Sequence, residues 1–210
     1  MSKIEIEDWG LIDYQLAWDK QKELVNDIQK NRNRNVLVVC EHPPVITIGK
    51  SGSLSNILFD RDSLSERGVK VIENNRGGDV TLHNPGQIIA YPIFNLTDYK
   101  EDLHWFLREI EECIIELVGQ YGIEGGRVEG LTGVWVEGSR KVCAMGLNCS
   151  RWVSSHGLAL NVNNDLREFG YIIPCGISDK QVSSISKEIG TEVAMSEVKM
   201  KLIEIFKNHF

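Results

Sequence analysis

The chain lacks any apolar run of membrane-spanning length, which excludes a helical integral membrane protein. It also lacks a basic surplus. Its 23 Lys and Arg face 30 Asp and Glu, a net charge of −7, and a dedicated nucleic-acid binder is excluded on that ground. Cysteines number five, an odd count without regular spacing, so no disulfide framework is expected and a reducing, cytoplasmic location is. The opening residues Met1-Ser2-Lys3-Ile4-Glu5 hold no signal-peptide apolar segment, in keeping with that expectation. There is no CxxC pair, no HExxH and no clustered Cys/His spacing, so no metal is expected. Without a Gly-x-Ser-x-Gly elbow, a serine hydrolase built on Ser154 or Ser155 lacks its defining turn. Repeats and low-complexity linkers are absent too. What remains is 210 residues, 42% hydrophobic and 25% charged, enough to bury one core. A single domain over residues 1–210, acting as a monomer, is expected.

One near-motif needs dismissal. Gly49-Lys50-Ser51 follows the apolar run Val45–Ile48 as a phosphate loop would. That motif needs a glycine five positions before Gly49, where Pro44 stands, and no predicted helix follows to aim its amides at a phosphate. No nucleotide is expected.

Periodicity supplies the elements. Ile4-Glu5-Ile6 alternates as a short strand, and Asp13 caps a helix with Tyr14, Ala17, Leu24 and Ile28 on one face, interrupted by Gln21. Val36–Cys40 reads as a strand buried on both faces, and Glu41-His42-Pro43-Pro44 as a rigid break before the strand Val45–Ile48. A short helix over Ser63–Arg67, closed by Gly68, precedes the strand Val69–Ile72. Ile88–Ile93 is a strand whose Pro92 predicts an edge or an end. The helix over residues 101–121 is the clearest, with Cys113 on its apolar face and Gly122 as its stop. Gly133–Val136 and Lys141–Met145 flank a hairpin turn, a further strand lies within Arg151–Val162, Asp165–Phe169 makes a helical turn, and a helix from Ser196 closes the chain. Helices at both ends around a strand-rich middle predict α+β with a mixed β-sheet flanked by helices.

Chemistry concentrates in a few places. Arg76-Gly77-Gly78-Asp79-Val80-Thr81-Leu82-His83-Asn84-Pro85-Gly86-Gln87 joins two apolar runs with three glycines, a cation and an imidazole. Such a stretch is either a pair of turns or a backbone that a ligand approaches closely. Cys175, between Pro174 and Gly176, is either an accessible nucleophile or a buried structural thiol. As a nucleophile it needs a neighbouring cation or base, for which Lys141, His83 and His156 are the candidates. A lysine ammonium about 4 Å from a thiolate contributes about 4 kcal/mol at an effective dielectric of about 20, or roughly three pKa units. Cys143 is the rival thiol, because strand alternation sets it on the face of Lys141. Cys149 is expected in a polar turn, and Cys40 at the end of a buried strand.

These segments resemble the octanoyltransferases of protein lipoylation, of the lipoate-protein ligase B type. The likeness is carried by Glu41-His42-Pro43-Pro44-Val45 with Gly49, by Arg76-Gly77-Gly78 through His83-Asn84-Pro85-Gly86-Gln87 to Tyr91-Pro92-Ile93, and by Thr132-Gly133-Val134-Trp135. It continues in Lys141 with Ala144-Met145-Gly146, in Arg151-Trp152-Val153, in Ser155-His156-Gly157-Leu158-Ala159-Leu160-Asn161-Val162 and in Pro174-Cys175-Gly176-Ile177. The resemblance implies a fold similar to the catalytic domains of biotin protein ligases and lipoate ligases, with no cofactor. It implies octanoyl-acyl carrier protein as donor. The implied acceptors are lipoyl domains of 2-oxoacid dehydrogenase complexes and the glycine cleavage H protein. In the implied reaction Cys175 holds the acyl group as a thioester, and Lys141 lowers the thiol pKa and moves protons. Arg76, Gly77, Gly78, Asp79, Val80, Thr81, Leu82 and His83, with Ala144, Met145, Gly146, Gly157, Leu158 and Ala159, match the acyl-binding segments.

Two residues depart from the family pattern. Leu82 replaces an aromatic residue and keeps an apolar wall without ring edges, and Asn84 replaces a glycine, which asparagine tolerates where the backbone is left-handed; both bear on acyl-chain length preference and tunnel shape. Arg140, Arg151 and Lys180 are expected to form a basic patch for an acidic carrier protein. The rival readings are an ATP-dependent ligase of the same fold, which would need no cysteine nucleophile, and a non-catalytic acyl-binding scaffold, which would need neither Lys141 nor Cys175.

Overall fold

The computed structural model describes residues 4–32, 34–173 and 180–210. Its strands are β1 (Ile4–Leu11), β2 (Asn35–Glu41), β3 (Val45–Ile48), β4 (Lys70–Glu73), β5 (Val80–His83), β6 (Gln87–Ile93), β7 (Gly125–Val128), β8 (Leu131–Val136), β9 (Arg140–Ser150), β10 (Val153–Asn161) and β11 (Gln181–Val182). The helices are α1 (Tyr14–Asn31), α2 (Arg61–Glu66), α3 (Leu103–Gly119), α4 (Ile185–Ile189) and α5 (Met195–His209). No helix among the described residues is long and apolar enough to cross a membrane.

The main sheet runs β1-β2-β6-β10-β9-β8-β7, with β11 pairing β9, and a smaller sheet runs β4-β3-β5. Parallel pairs (β1–β2, β3–β4, β11–β9) mix with antiparallel ones, so the expected mixed sheet is observed. Alternation on β2 explains its continuous apolar run. Val36, Val38 and Cys40 pack under Ala17 and Ile28 of α1, while Leu37 and Val39 join the core beneath α3 and α5. A third cluster, with Ile46, Leu64, Leu82 and Phe169, supports the small sheet.

Caps account for most helix ends. The Asp13 carboxylate accepts from the amides of Gln15 and Leu16, and Asp102 accepts from Trp105. Gln21 interrupts the apolar stripe of α1 for a reason: it is buried, and its Oε1 accepts the His156 amide at 2.9 Å.

Pro92 meets one of its two expected placements: it is the penultimate residue of β6, at the strand's end, while β6 itself is central, between β2 and β10. The β6–β10 register pairs Ala90 with Leu158 and, continued, would set Pro92 opposite His156. There β10 leaves its ladder, with His156 at φ 57°. The Ser154 hydroxyl repairs the gap, donating to the Pro92 carbonyl at 2.7 Å and accepting from the Phe94 amide at 2.9 Å. A proline is tolerated mid-sheet because its partner strand asks for no donor at that point. Two further differences are local. The stretch 76–87 contains β5 rather than turns alone, and Cys149 lies within β9 rather than in a turn. The short elements β7, β11 and α4 carry too few residues to show a period.

Candidate active site

Between the small sheet, the β9–β10 hairpin and the start of α3 lies a cavity of about 390 Å³. Residues 76–81 and His83 form one wall, residues 144–147 and 156–159 another, and Leu103, His104 and Leu107 of α3 a third. Lys141 also faces it. The structure thus brings together every residue of the three matched segments, with one exception. Leu82 points the other way, into the cluster of Ile46, Leu64 and Phe169, and supports the wall from behind. Cys175 and its neighbours Pro174, Gly176 and Ile177 lie outside the described residues. The chain reaches that segment from Ile173, whose amide donates to the Asn56 carbonyl at 2.8 Å. It leaves through β11, whose Val182 is paired with Lys141.

Arg76 is the knot of the glycine-rich wall. The residue is 7% exposed, and its guanidinium donates to the Thr47 carbonyl and hydroxyl and to the carbonyls of Gly77 and Asp79, at 2.6 to 3.1 Å. A buried cation spent on carbonyls folds the segment around itself. The same wall consumes the amides of the would-be phosphate loop: Gly49, Lys50 and Ser51 donate to the carbonyls of Asp79, Arg76 and Gly78. Glycine at 146 lets the two walls meet. A Cβ there would stand 2.6 Å from the Gly77 carbonyl oxygen, beside the Gly77 amide bond to Leu147.

Lys141 is aimed by a bulge. Val134 pairs with Cys143 and Trp135 with Lys141, so β9 carries Val142 as an extra residue against β8. One inserted residue inverts alternation. Lys141 therefore faces the cavity, its Nζ 4.5 Å from the centre of the Trp135 ring, while Cys143 sits fully buried in the main core. This corrects the shared face expected for Cys143. Burial pushes its thiol well above the usual cysteine range, so it packs rather than reacts. The thiols of Cys40 and Cys113 are raised by burial in the same way.

Four aromatic side chains meet at one side of the cavity. Tyr14 stacks on His83 at 5.9 Å, and the His42 ring meets both edgewise. His42 Nδ1 lies 2.7 Å from the Ile12 carbonyl and so carries the proton, and its Nε2 then accepts from the Tyr91 hydroxyl at 2.7 Å. His83 Nδ1 donates to Gln87 Oε1 at 3.1 Å, leaving Nε2 as an acceptor. From Gln87 a chain of bonds runs through Asn161 and Ser183 to the Lys141 carbonyl, tying the imidazole to the backbone of the lysine. In the sequence Gln87 and Asn161 stand out only by their place in the family pattern. Their roles depend on strand register and had no local signal.

Burial, with the nearby His42 and Arg76, holds His83 down to about 3, and burial beside Arg76 holds His156 there too. Both are neutral in the folded protein, whereas unfolded chains titrate near 6.5. Their contribution is complete above pH 6.5 and is lost as pH falls from 6.5 towards 3, because only the unfolded state gains the proton. At pH 5 each costs about 2 kcal/mol. Urea denaturation at pH 7 and pH 5 should show that loss, and His83→Gln should flatten the pH slope, leaving the part due to His156 and to His42, which burial also lowers.

Other expectations are revised. Asn84 is not left-handed. Gly86 takes that conformation at φ 89°, while buried Asn84 donates to the Asp165 carbonyl and to Glu168. Neither departure from the family pattern touches the cavity. Arg140 is engaged by Glu137 and Glu188, at 2.6 and 2.9 Å, and Arg151 follows the far end of β9, about 36 Å away at strand rise. Lys180 does lie beside Arg140, since Gln181 pairs with Arg140 and the Lys180 Nζ donates to the Gly138 carbonyl in the adjoining turn, so Arg151 alone falls outside the expected patch. Among the described residues no three His, Cys, Asp or Glu side chains converge as a metal site requires.

Comparison with known proteins matches residues 13–207 to the lipoyl protein ligase A/B catalytic domain family. An octanoyltransferase of Cytophaga hutchinsonii is 46% identical, over 95% of this chain and 89% of that protein. A bipartite lipoate protein ligase from Thermoplasma acidophilum superposes with a TM-score of 0.75 at 15% identity, over all of this chain and 84% of the other. A biotin protein ligase of Aquifex aeolicus does so at 0.51 and 11% identity, over all of this chain and 69% of that one. At those identities the two structures speak for the fold alone.

Proposed function

The chain belongs to the lipoyl protein ligase A/B catalytic domain family and is an octanoyltransferase, and from that premise we propose a two-step acyl transfer through Cys175. The donor is octanoyl-acyl carrier protein, and the acceptor is a lysine amine of a lipoyl domain. The observation that carries this reading is the bulge that turns Lys141 into a largely apolar cavity, beside the strand through which the segment of Cys175 returns.

In the first step the Cys175 proton passes to Lys141, and the sulfur attacks the thioester carbonyl of the donor. The tetrahedral intermediate collapses by breaking the bond to the carrier sulfur, which leaves with the proton that Lys141 returns. One thioester replaces another, so no outside energy source is needed. In the second step the acceptor amine attacks the octanoyl-Cys175 carbonyl. The new C–N bond forms, the C–S bond breaks, and the amine proton passes by way of Lys141 to the departing sulfur. Amide formation makes this step downhill. Glycines at 77, 78, 146 and 157 let the alkyl chain lie against backbone, and amides near Gly146 or Gly157 supply oxyanion donors.

The ATP-dependent ligase reading is weakened by the Gly49–Ser51 amides, all of which are spent on the opposite wall. Incubating the protein with octanoyl-acyl carrier protein, without ATP, should add one octanoyl group by intact mass. Hydroxylamine should remove it, and peptide mapping should place it on Cys175. An adduct elsewhere, or none, would overturn the acyl-enzyme. Dependence on ATP would favour the ligase.

A further inference from the structure

Glu111 is a carboxylate with no place in the transfer chemistry, yet its side chain is 0% exposed on a helix otherwise packed through apolar residues. Carboxylates are kept in such surroundings only when every lone pair is used. Its Oε2 accepts from Arg108 at 2.6 Å and from Arg127 at 3.0 Å. Its Oε1 reaches away from both arginines and accepts the amide of Gly133 at 2.9 Å.

Gly133 is no ordinary strand residue. It has φ 113°, and a Cβ there would overlap the Cys143 carbonyl oxygen and stand 3.5 Å from Lys141 Cε. It immediately precedes Val134 and Trp135, the pair between which the β8–β9 register shifts. An amide released from a ladder beside a bulge must find another acceptor, and Glu111 supplies it. The bulge in turn decides which face Lys141 occupies.

We infer that Glu111 is the positioning residue of Lys141: by holding the Gly133 amide it fixes the β8–β9 bulge, and the bulge aims the lysine into the acyl cavity. The two arginines neutralise the carboxylate and hold its other oxygen. The catalytic part of the inference rests on the role proposed above for Lys141, but the placement of the side chain does not.

That separation sets the experiment. The Trp135 ring lies beneath Lys141 Nζ, so ring current should move the Lys141 ε-methylene protons upfield in lysine-labelled protein. The shift should persist in Arg127→Met, which strips a cation from Oε2 and leaves the Gly133 bond. It should vanish in Glu111→Leu, and also in Glu111→Asp, which keeps the charge but falls one methylene short. In the same Glu111 variants kcat for octanoyl transfer should fall on the order of 100-fold, with KM changed less than about threefold. The wild-type Gly133 amide should be strongly protected from hydrogen exchange.

If Glu111→Asp keeps the upfield Lys141 signal, or if wild-type Gly133 exchanges freely, the inference is wrong. An unshifted Lys141 in Arg127→Met would assign the effect to charge neutralisation instead. A wild type that forms no octanoyl adduct would sink the acyl-enzyme reading while the spectroscopic arms still decide the positioning.

Discussion

Lys141→Met is expected to lower the rate constant for formation of octanoyl-Cys175 by about 10³-fold, within the 10² to 10⁴ range of positioned proton transfer. Two effects combine. In the proposed mechanism the thiol loses the cation that favours its ionised form, and the departing carrier sulfur loses the acid that protonates it. Methionine is the right probe because it spans most of the lysine stem, so the 9%-exposed site stays filled and the Trp135 face stays covered. Lys141→Arg keeps charge but adds a rigid fork that holds its proton far too tightly to exchange it. It should rescue little. Stopped-time intact mass against octanoyl-acyl carrier protein measures the effect directly, and Cys175→Ser should leave no hydroxylamine-sensitive adduct. Lys141→Met acylation within about threefold of wild type would remove the lysine from the chemistry.

The way Lys141 reaches the cavity also shows what a linear reading can and cannot contain. β2 and α3 were legible because their periods are long and unbroken, and both faces of β2 are apolar. Cavity-wall segments 76–81, 144–146 and 157–159 were legible through family likeness, and the structure brings them together. Alternation failed at Cys143 because one extra residue, Val142, inverts it, and bulges leave no mark in composition. Its position in a motif sets Leu82 on the tunnel wall, but β5 turns it towards Phe169 of the small core. At Asn84 the side chain rather than the backbone carries the role, bridging to Asp165 and Glu168 some eighty residues away in sequence. Glu111 was invisible for the same reason: its partner Gly133 lies across a strand connection that no spacing encodes.

Gly157→Ala is expected to cost more than about 4 kcal/mol, which few single substitutions do. A Cβ at Gly157 would lie far inside contact distance of the Ala90 carbonyl oxygen and 2.8 Å from Pro92 Cδ. Both obstacles are backbone or ring atoms of β6, held by β2 on its other side, so no rotamer change relieves them. Overpacking against movable side chains typically costs 1–3 kcal/mol. Here the sheet itself must open, at the place where Pro92 and the turned His156 already leave the ladder incomplete. With total stabilities of about 5–15 kcal/mol for domains of this kind, the variant should be largely unfolded at moderate urea. Gly119→Ala is the matched control: it ends α3, has nothing within 4 Å of the added carbon, and should be neutral or stabilising by up to about 1 kcal/mol. If Gly157→Ala instead folds with a wild-type urea midpoint, β10 can shift relative to β6. The cavity, whose walls include Ile89, Tyr91 and residues 156–159, would then be a yielding one. A rigid glycine crossing predicts the opposite: the position tolerates no side chain because β6 and β10 must touch there to hold the cavity wall in place.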